Sequence, residues 1–488
     1  MLQQSLEPGA TDLTLRCNVT GVTAERGCEA PVQTPMRRNM STSVDSNVIS
    51  PQGSPEAAYD AFFEPEIERA SRAEITALQE RRILELVPYA FERSPFYREL
   101  WMRAGVDPSR VRSIEDFVSS IPTFSKDDVR AYRDRTGDPF GGLLCVDRSE
   151  ITSVTSTSGT TGDPEPFAEI WSVAHPLPTA GMRDLWALGL RPGDRVLIPA
   201  GSFRGLFDSA FSALGLVPVF IDGWIGEGEQ LLLAIQKYDI RYLQLFLPTV
   251  LEWEKLEAKY DLRTMLAPLK GAAFAGMPLG KALENKVRQN WQVNLFTYTS
   301  AGDTGTAWEG VEHDGFHLWE DTVFAEARDP LTDELVGDGE LGELVATDLD
   351  NTAAPYIRFR TGDLVRLNRE PAPSGRTHAR MWIHGRKGDE LSIDGRALMV
   401  SDVWRHVESV PELSDGIFQV VYSGAAPQLR IRLGYAPERT SDVNELRTRA
   451  VQLLQVALNV VVDAEMINAD DLISQTKSVA KFARVVKE

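Results

Sequence analysis

The sequence predicts an α/β protein: a large N-terminal domain of layered α/β sheets, then a small mobile α+β C-terminal domain. Three observations predict it. After Gly159 short apolar runs alternate with amphipathic ones, which is how strands joined by crossover helices read. Beyond about Phe316 the pattern becomes one of hairpins. Near Gly385 it changes again, to a helix, two alternating runs and a second helix.

Residues 1–50 carry no periodic apolar pattern and read as a disordered leader or over-long start. Their acidic residues Glu7, Asp12, Glu25 and Glu29 speak against a transit peptide, and no apolar core marks a signal peptide. A helix is expected from about Pro65, with Ser71-Arg-Ala-Glu74 as a capping box and Pro88 kinking or ending it. Buried strands are expected at Arg195–Pro199, Leu216–Ile221, Tyr242–Leu247 and Asn294–Tyr298, with a helix over Leu231–Tyr238. Later come a helix from Ser401, strands at Ile417–Val421 and Leu429–Leu433, and a helix with Val443, Leu446, Ala450, Leu453 and Ala457 on one face. The domains are therefore drawn as 51–385 and 386–488, with a charged, glycine-flanked boundary at Gly385-Arg-Lys-Gly-Asp389.

Composition excludes several classes of function. A chain of 488 residues with a formal charge of -20 offers no broad surface for a nucleic-acid polymer. No apolar run approaches the roughly 18 residues of a membrane helix. The cysteines, Cys17, Cys28 and Cys145, are too few for a disulfide framework and fit the cytoplasm.

One stretch is dense in small donors: Thr155-Ser-Thr-Ser-Gly-Thr-Thr-Gly162. Thr157, Ser158, Thr160 and Thr161 offer rotating hydroxyls, while Gly159 and Gly162 let backbone N–H groups come close, which together make a phosphate cradle. It is not a Walker loop, because no Lys-Ser or Lys-Thr follows Gly162. Further on, Tyr356-Ile-Arg-Phe-Arg-Thr-Gly-Asp363 sets a carboxylate after a glycine turn, where it can accept both hydroxyls of a ribose. Arg386 and Lys481 complete the set of candidates.

With these residues the sequence resembles the adenylate-forming enzymes, and among them the phenylacetate–CoA ligase family, from about Tyr59 to the C-terminus. Phe63-Glu-Pro-Glu-Ile67, Ser94-Pro-Phe-Tyr97, Gly105-Val-Asp-Pro108, Arg191-Pro-Gly-Asp-Arg195, His317-Leu-Trp-Glu-Asp321 and Gly375-Arg-Thr-His378 carry the resemblance by their order and spacing. It implies that a small carboxylic acid attacks the α-phosphate of ATP, with Mg2+ offsetting charge, and that the acyl-adenylate is captured by coenzyme A. An amine or a carrier protein is the alternative acceptor, a lapsed nucleotide-binding homologue a further reading, and a homodimer is implied by the family alone. The resemblance gives the diphosphate to the hydroxyl loop, the ribose to Asp363, the ribose or a phosphate to Arg386, and the developing charge to Lys481, which keeps a Lys-x-x-Arg-Val register with Arg484 and Val485. Asp303 is the acid and the metal ligand, Gly388 the hinge. Tyr298 stacks on adenine, or Thr299 occupies that position. Phe203, Phe207, Phe274, Ala275 and Gly276 fall at substrate-pocket positions, which points to a flat aromatic acid.

The chain departs from the family at Asp163, where a lysine is usual, at Met277, where an acid is usual, and in the spacing between Tyr298 and Asp303. Ala372-Pro-Ser374 and Gly310 stand where relatives carry cysteines, so zinc is not expected. Gly337-Asp-Gly-Glu-Leu-Gly342 matches a dinucleotide fingerprint but precedes a strand-like run, and His313-Asp-Gly-Phe-His317 contains a turn signal, so both read as hairpins.

Overall fold

The computed structural model describes residues 61–156, 166–170, 179–198, 210–221, 226–274, 279–300, 306–422, 424, 426–475 and 482–486. Contacts divide the chain into Met1–Ala58 and Tyr59–Glu488, and every described residue belongs to the second unit. The leader reading of residues 1–50 lies outside the described residues.

A small antiparallel hairpin comes first, β1 (Ser153–Ser156) and β2 (Pro166–Glu169), with Ser156 opposite Pro166. The main sheet comes next along the chain. Its parallel half holds β3 (Arg195–Ile198), β4 (Val217–Phe220), β5 (Ile240–Leu245), β6 (Gly271–Phe274) and β7 (Leu295–Ser300) in the order β4-β3-β5-β6-β7. Its antiparallel half adds β8 (Thr306–Glu309), β9 (Phe316–Leu318), β10 (Val323–Arg328), β11 (Leu341–Asp348), β12 (Phe359–Asn368) and β13 (Arg380–Arg386), giving 11 strands in all. Beyond Gly388 lie the hairpin β14 (Glu390–Ile393) and β15 (Arg396–Met399) and a four-stranded sheet. That sheet holds β16 (Phe418–Val421), β17 (Leu429–Tyr435), β18 (Val462–Asn468) and β19 (Val485–Val486) in the order β18-β17-β16-β19.

Both faces of the parallel half are covered, as such sheets require. Helices Gly228–Tyr238 and Leu247–Leu256 bury Leu232, Ile235, Val250 and Trp253 on one face. Helix Ala180–Ala187 buries Met182 and Leu185 on the other, with Phe211 and Leu214. The residues after Gly388 have a core of their own, with Val403, Val407, Phe418, Ile431, Leu446 and Leu454.

Most expected elements form, with three corrections. The Ser71–Glu74 capping box is present, but helix Arg72–Arg93 runs through Pro88 instead of ending there. Pro88 is exposed while Ile83, Leu86, Val87 and Ala90 are buried around it, so packing on both sides outweighs one missing backbone bond. β4 is not buried: it is the edge of the sheet, with Val217 and Phe220 exposed. Helix Val443–Leu458 buries Leu446, Ala450, Leu454 and Leu458, a stripe turned from the expected one. Among the described residues no helix is long and apolar enough to cross a membrane.

The short motifs around residues 63–67, 317–321 and 375–378 converge in one buried ionic network. Arg183 grips both carboxylate oxygens of Asp321 at 2.8 Å and also reaches Glu64. Burial alone would raise the Asp321 carboxyl, yet the Arg183 guanidinium holds it below the usual carboxylate range. Arg376 pairs with Glu68, and Arg72 is bidentate to Glu320 at 2.7 Å. His378 accepts from the Glu320 N–H through Nδ1 and donates through Nε2 to the Ile67 carbonyl, and burial keeps its ring neutral. The network ties the first helices to the sheet.

A further buried acid stands at the end of β11. Asp348 Oδ1 accepts from the N–H groups of Asp350 and Asn351 at 2.9 Å, and burial pushes its pKa up to about 7. The unfolded chain loses this proton near the ordinary value, so the folded state is penalised progressively as pH rises from about 4 to 7, and constantly above that. Asp348→Asn keeps the accepting oxygen and removes the charge. Urea denaturation should find the variant's stability relative to wild type higher at pH 8 than at pH 5, by a difference on the order of 1–3 kcal/mol.

Candidate functional site

Doubly wound sheets bind ligands beyond the carboxyl ends of their parallel strands, where the strand order reverses. Here the order reverses at β3, since β4 lies to one side of it and β5 to the other. The segments leaving the carboxyl ends of β3, β6 and β7 are residues 199–209, 275–278 and 301–305. They carry Phe203 and Phe207, Ala275 and Gly276, and Asp303 respectively, all outside the described residues. The hydroxyl loop, with Thr157, Ser158, Gly159, Thr160, Thr161 and Gly162, also lies outside them, but its ends are pinned. It joins Ser156 to Pro166 across the β1–β2 hairpin, Thr152 N–H donates to the Glu169 carbonyl, and the Asn351 amide donates to the Ala168 carbonyl.

Two candidates are brought face to face. Asp363 on β12 lies directly across from Arg386, the last residue of β13, and Arg386 Nε stands 3.0 Å from Asp363 Oδ1. Arg386 Nη2 also donates to the Thr361 carbonyl, and Lys387 N–H donates to the Gly362 carbonyl at 2.7 Å. A bulge produces this pairing. From Asn368 to Val365 the partners keep one register, and past the extra residue His384 they keep another. Without that residue Asp363 would face Gly385, and Arg386 would project from the opposite side of the sheet. The bulge needs glycine: Gly385 has φ +141°, a backbone that residues with a Cβ rarely adopt, and a Cβ there would press on Met399 Cε at 3.3 Å. Gly388, the candidate hinge, has φ +86° in open space in the turn between β13 and β14.

Two other candidates are placed in the core. Tyr298 is 9% exposed, its ring stacked on Trp308 with centroids 4.5 Å apart and planes 13° apart. One face of that ring is taken up by Trp308. Thr299, next along β7 and only half-buried, projects from the other face of the strand. Phe274 is 1% exposed, in the same core cluster as Leu245 and Leu295. Lys481 lies outside the described residues. Its register partner Arg484 is described, with the aromatic rings of Trp404, Phe418 and Phe482 around its guanidinium.

Around Gly310 and Ser374 this chain gathers polar groups. A Cβ on Gly310 would stand 2.5 Å from His317 Nε2 and closer still to Glu312 Oε2, and the Ser374 N–H donates to Glu312 Oε1 at 2.8 Å. The His317 ring holds the Glu312 carboxyl well below the usual carboxylate range, while burial lowers His317. Among the described residues no three His, Cys, Asp or Glu side chains converge as a metal centre would. Cys145 is buried and its thiol is pushed up to about 12, so it is no nucleophile at neutral pH.

No protein-family model matches the chain. Curated relatives do. The chain is 33% identical to the phenylacetate–coenzyme A ligase of Thermus thermophilus over 371 residues, 72% of this chain and 79% of that protein. It is 32% identical to the enzyme of the same name from Aromatoleum evansii, over 76% and 84% of the two chains. Among solved structures, 2-hydroxyisobutyryl-CoA ligase in its postadenylation state with 2-HIB-AMP shares 25% identity and a TM-score of 0.76 over 89% of this chain and 94% of that one. The same enzyme in its thioesterification state, with CoA, gives 0.63 at the same identity and coverage. The overall likeness is therefore greater to the relative's postadenylation state than to its thioesterification state.

Gly385→Ala should lower stability by about 1–3 kcal/mol, read from the denaturation midpoint, because alanine is strained at that φ. A variant as stable as wild type would mean that the bulge does not depend on glycine.

Proposed function

The chain belongs to the phenylacetate–coenzyme A ligase family of adenylate-forming enzymes, and on that premise we propose that its substrate is an aromatic or arylalkyl carboxylic acid. It activates the acid with ATP as an acyl-adenylate, releasing pyrophosphate, and transfers the acyl group to coenzyme A. In the first step a carboxylate oxygen bonds to the α-phosphorus as the bond to pyrophosphate breaks. In the second the thiol sulfur bonds to the acyl carbon, the thiol proton is lost and AMP leaves. ATP and coenzyme A supply places this chemistry in the cytoplasm.

Each candidate residue has its own share of the work. Asp363 accepts the ribose hydroxyls, and Arg386 holds that carboxylate in place while offering its remaining N–H groups to the nucleotide. Thr299, on the face of β7 opposite Tyr298, lies against the base. The hydroxyl loop from Thr157 to Gly162 takes the β- and γ-phosphates, and Lys481 approaches the carboxylate and α-phosphate oxygens as charge develops. Gly388 supplies the turn about which residues 389–488 move between the two steps. Asp303 suits Mg2+, which binds through one or two carboxylates together with substrate phosphates and supplies charge neutralisation. Phe203 and Phe207, in the segment beyond β3, face the acid.

The observation that carries this reading is the Asp363–Arg386 pair at the end of β13, two residues before Gly388. Asp363→Ala removes a charge-assisted acceptor and should lower kcat/KM for ATP by roughly 10- to 100-fold, with KM for the acid little changed. Acid-dependent pyrophosphate release, screened over arylalkyl, benzoic and short aliphatic acids, should be highest for an arylalkyl or benzoic acid, with coenzyme A consumed in step. Release no greater than the no-acid background for every acid would overturn the reading.

A further inference from the structure

Among the described residues, those beyond Gly388 touch the large sheet domain through an apolar patch and three polar contacts, of which the Lys255–Asp470 pair at 2.6 Å is solvent-exposed and the other two are more enclosed. The patch is Ile417, Leu472, Ile473 and Phe482, which join the core cluster of Leu247, Leu251 and Leu283. The first polar contact is Glu408, the last residue of helix Val400–Glu408. Its Oε1 accepts from Trp404 Nε1 at 2.6 Å, and its Oε2 accepts from the backbone N–H of Lys281 at 3.1 Å, where helix Lys281–Asn285 begins. Gly280 makes the approach possible, since a Cβ there would overlap Glu408 Oε1. Residues 279–281 directly follow the segment 275–278 that leaves the carboxyl end of β6.

Trp404 carries this contact into the C-terminal tail. The Arg484 guanidinium lies 3.9 Å from the Trp404 ring centroid and donates to the Gly416 and Phe418 carbonyls. The Arg484 carbonyl accepts from Val420 N–H at 2.8 Å, and β19 then pairs in parallel with β16. Lys481 stands three residues before Arg484, on the same short tail.

The second polar contact is Arg439. Nη1 holds Asp415 Oδ1 of its own part at 2.9 Å, while Nη2 reaches Glu254 Oε1 of helix Leu247–Leu256 at 2.6 Å. Lys286 shares the Glu254 carboxylate. Burial pushes the Glu408 and Asp415 carboxyls up, as for acids closed inside an interface.

We infer that Glu408 and Arg439 are positioning residues for acid activation: together they fasten the C-terminal part, and with it the tail bearing Lys481, against the sheet domain, and both must let go before acyl transfer. The inference rests on the proposed function. It follows from the greater likeness of this chain to the relative's postadenylation structure than to its thioesterification structure, and from each contact spanning the two parts with a charged group.

The two half-reactions are measured apart. Glu408→Ala and Arg439→Ala are assayed in the full chain for acid-dependent exchange of labelled pyrophosphate into ATP, and for thioester formation from coenzyme A and supplied acyl-adenylate. Each should lose about 10-fold or more in exchange while thioester formation stays within about 2-fold of wild type or rises, and Arg439→Lys should fall between Arg439→Ala and wild type. Loss of both half-reactions in proportion would mark a merely structural role and overturn the inference, as would unchanged exchange. A wild type without exchange for any acid would instead remove the proposed function, and this inference with it.

Discussion

One extra residue in one strand decides which side of the sheet Arg386 faces. His384 interrupts the pairing of β12 with β13, and past it Arg386 stands across from Asp363 on the same side of the sheet. In an unbroken ladder those two side chains would point to opposite faces, and a carboxylate meant for a ribose would have no cation to orient it. The bulge also falls at the end of β13, where Gly388 turns the chain into the C-terminal part. On the proposed reading the nucleotide grip at Arg386 and the pivot at Gly388 lie two residues apart, so that a rotation about Gly388 would leave Asp363 in place.

That economy depends on a rigid frame. The buried network of Glu64, Glu68, Arg72, Arg183, Glu320, Asp321, Arg376 and His378 joins helices near the start of the domain to residues on either side of β9 and β13. Each charge in it has a partner, which a buried charge requires, and removing any one would strand the rest. Such a network adds little net stability compared with apolar packing. What it contributes is geometric definition, since each carboxylate is held by a guanidinium from a different element. His378 and Asp321, which belong to motifs that carry the family resemblance, are held within this network.

The fold was largely legible because its signals are local. The Ser71–Glu74 box, the apolar runs of β3 and β7 and the amphipathic helix over residues 228–238 each depend on neighbours within a few positions. The misjudged features depend on distant ones. Pro88 is tolerated because of what packs around its helix, and β4 is exposed because no strand lies beyond it. In the site, the alternation Phe296-Thr297-Tyr298-Thr299 already places both aromatic residues on one face of a strand, and that face is the core. The motif register left Tyr298 and Thr299 as alternatives for adenine, and the period-two pattern sets them on opposite faces of β7. Asp363 and Arg386 were found separately, but their pairing rests on the bulge, which no spacing in the sequence reveals. Glu408, Arg439 and Glu254 belong to no recognisable motif and emerge only when the two parts are seen together.

The central claim is that the adenosine of the nucleotide lies beyond the carboxyl ends of the parallel strands with its ribose on Asp363. A crystal structure with an acyl-sulfamoyl adenosine, the stable mimic of the acyl-adenylate, tests it most directly. Both ribose hydroxyls should lie within hydrogen-bond distance of the Asp363 carboxylate, with Arg386 still against it. A ribose bound away from Asp363, or a nucleotide seated elsewhere on the molecule, would contradict the account.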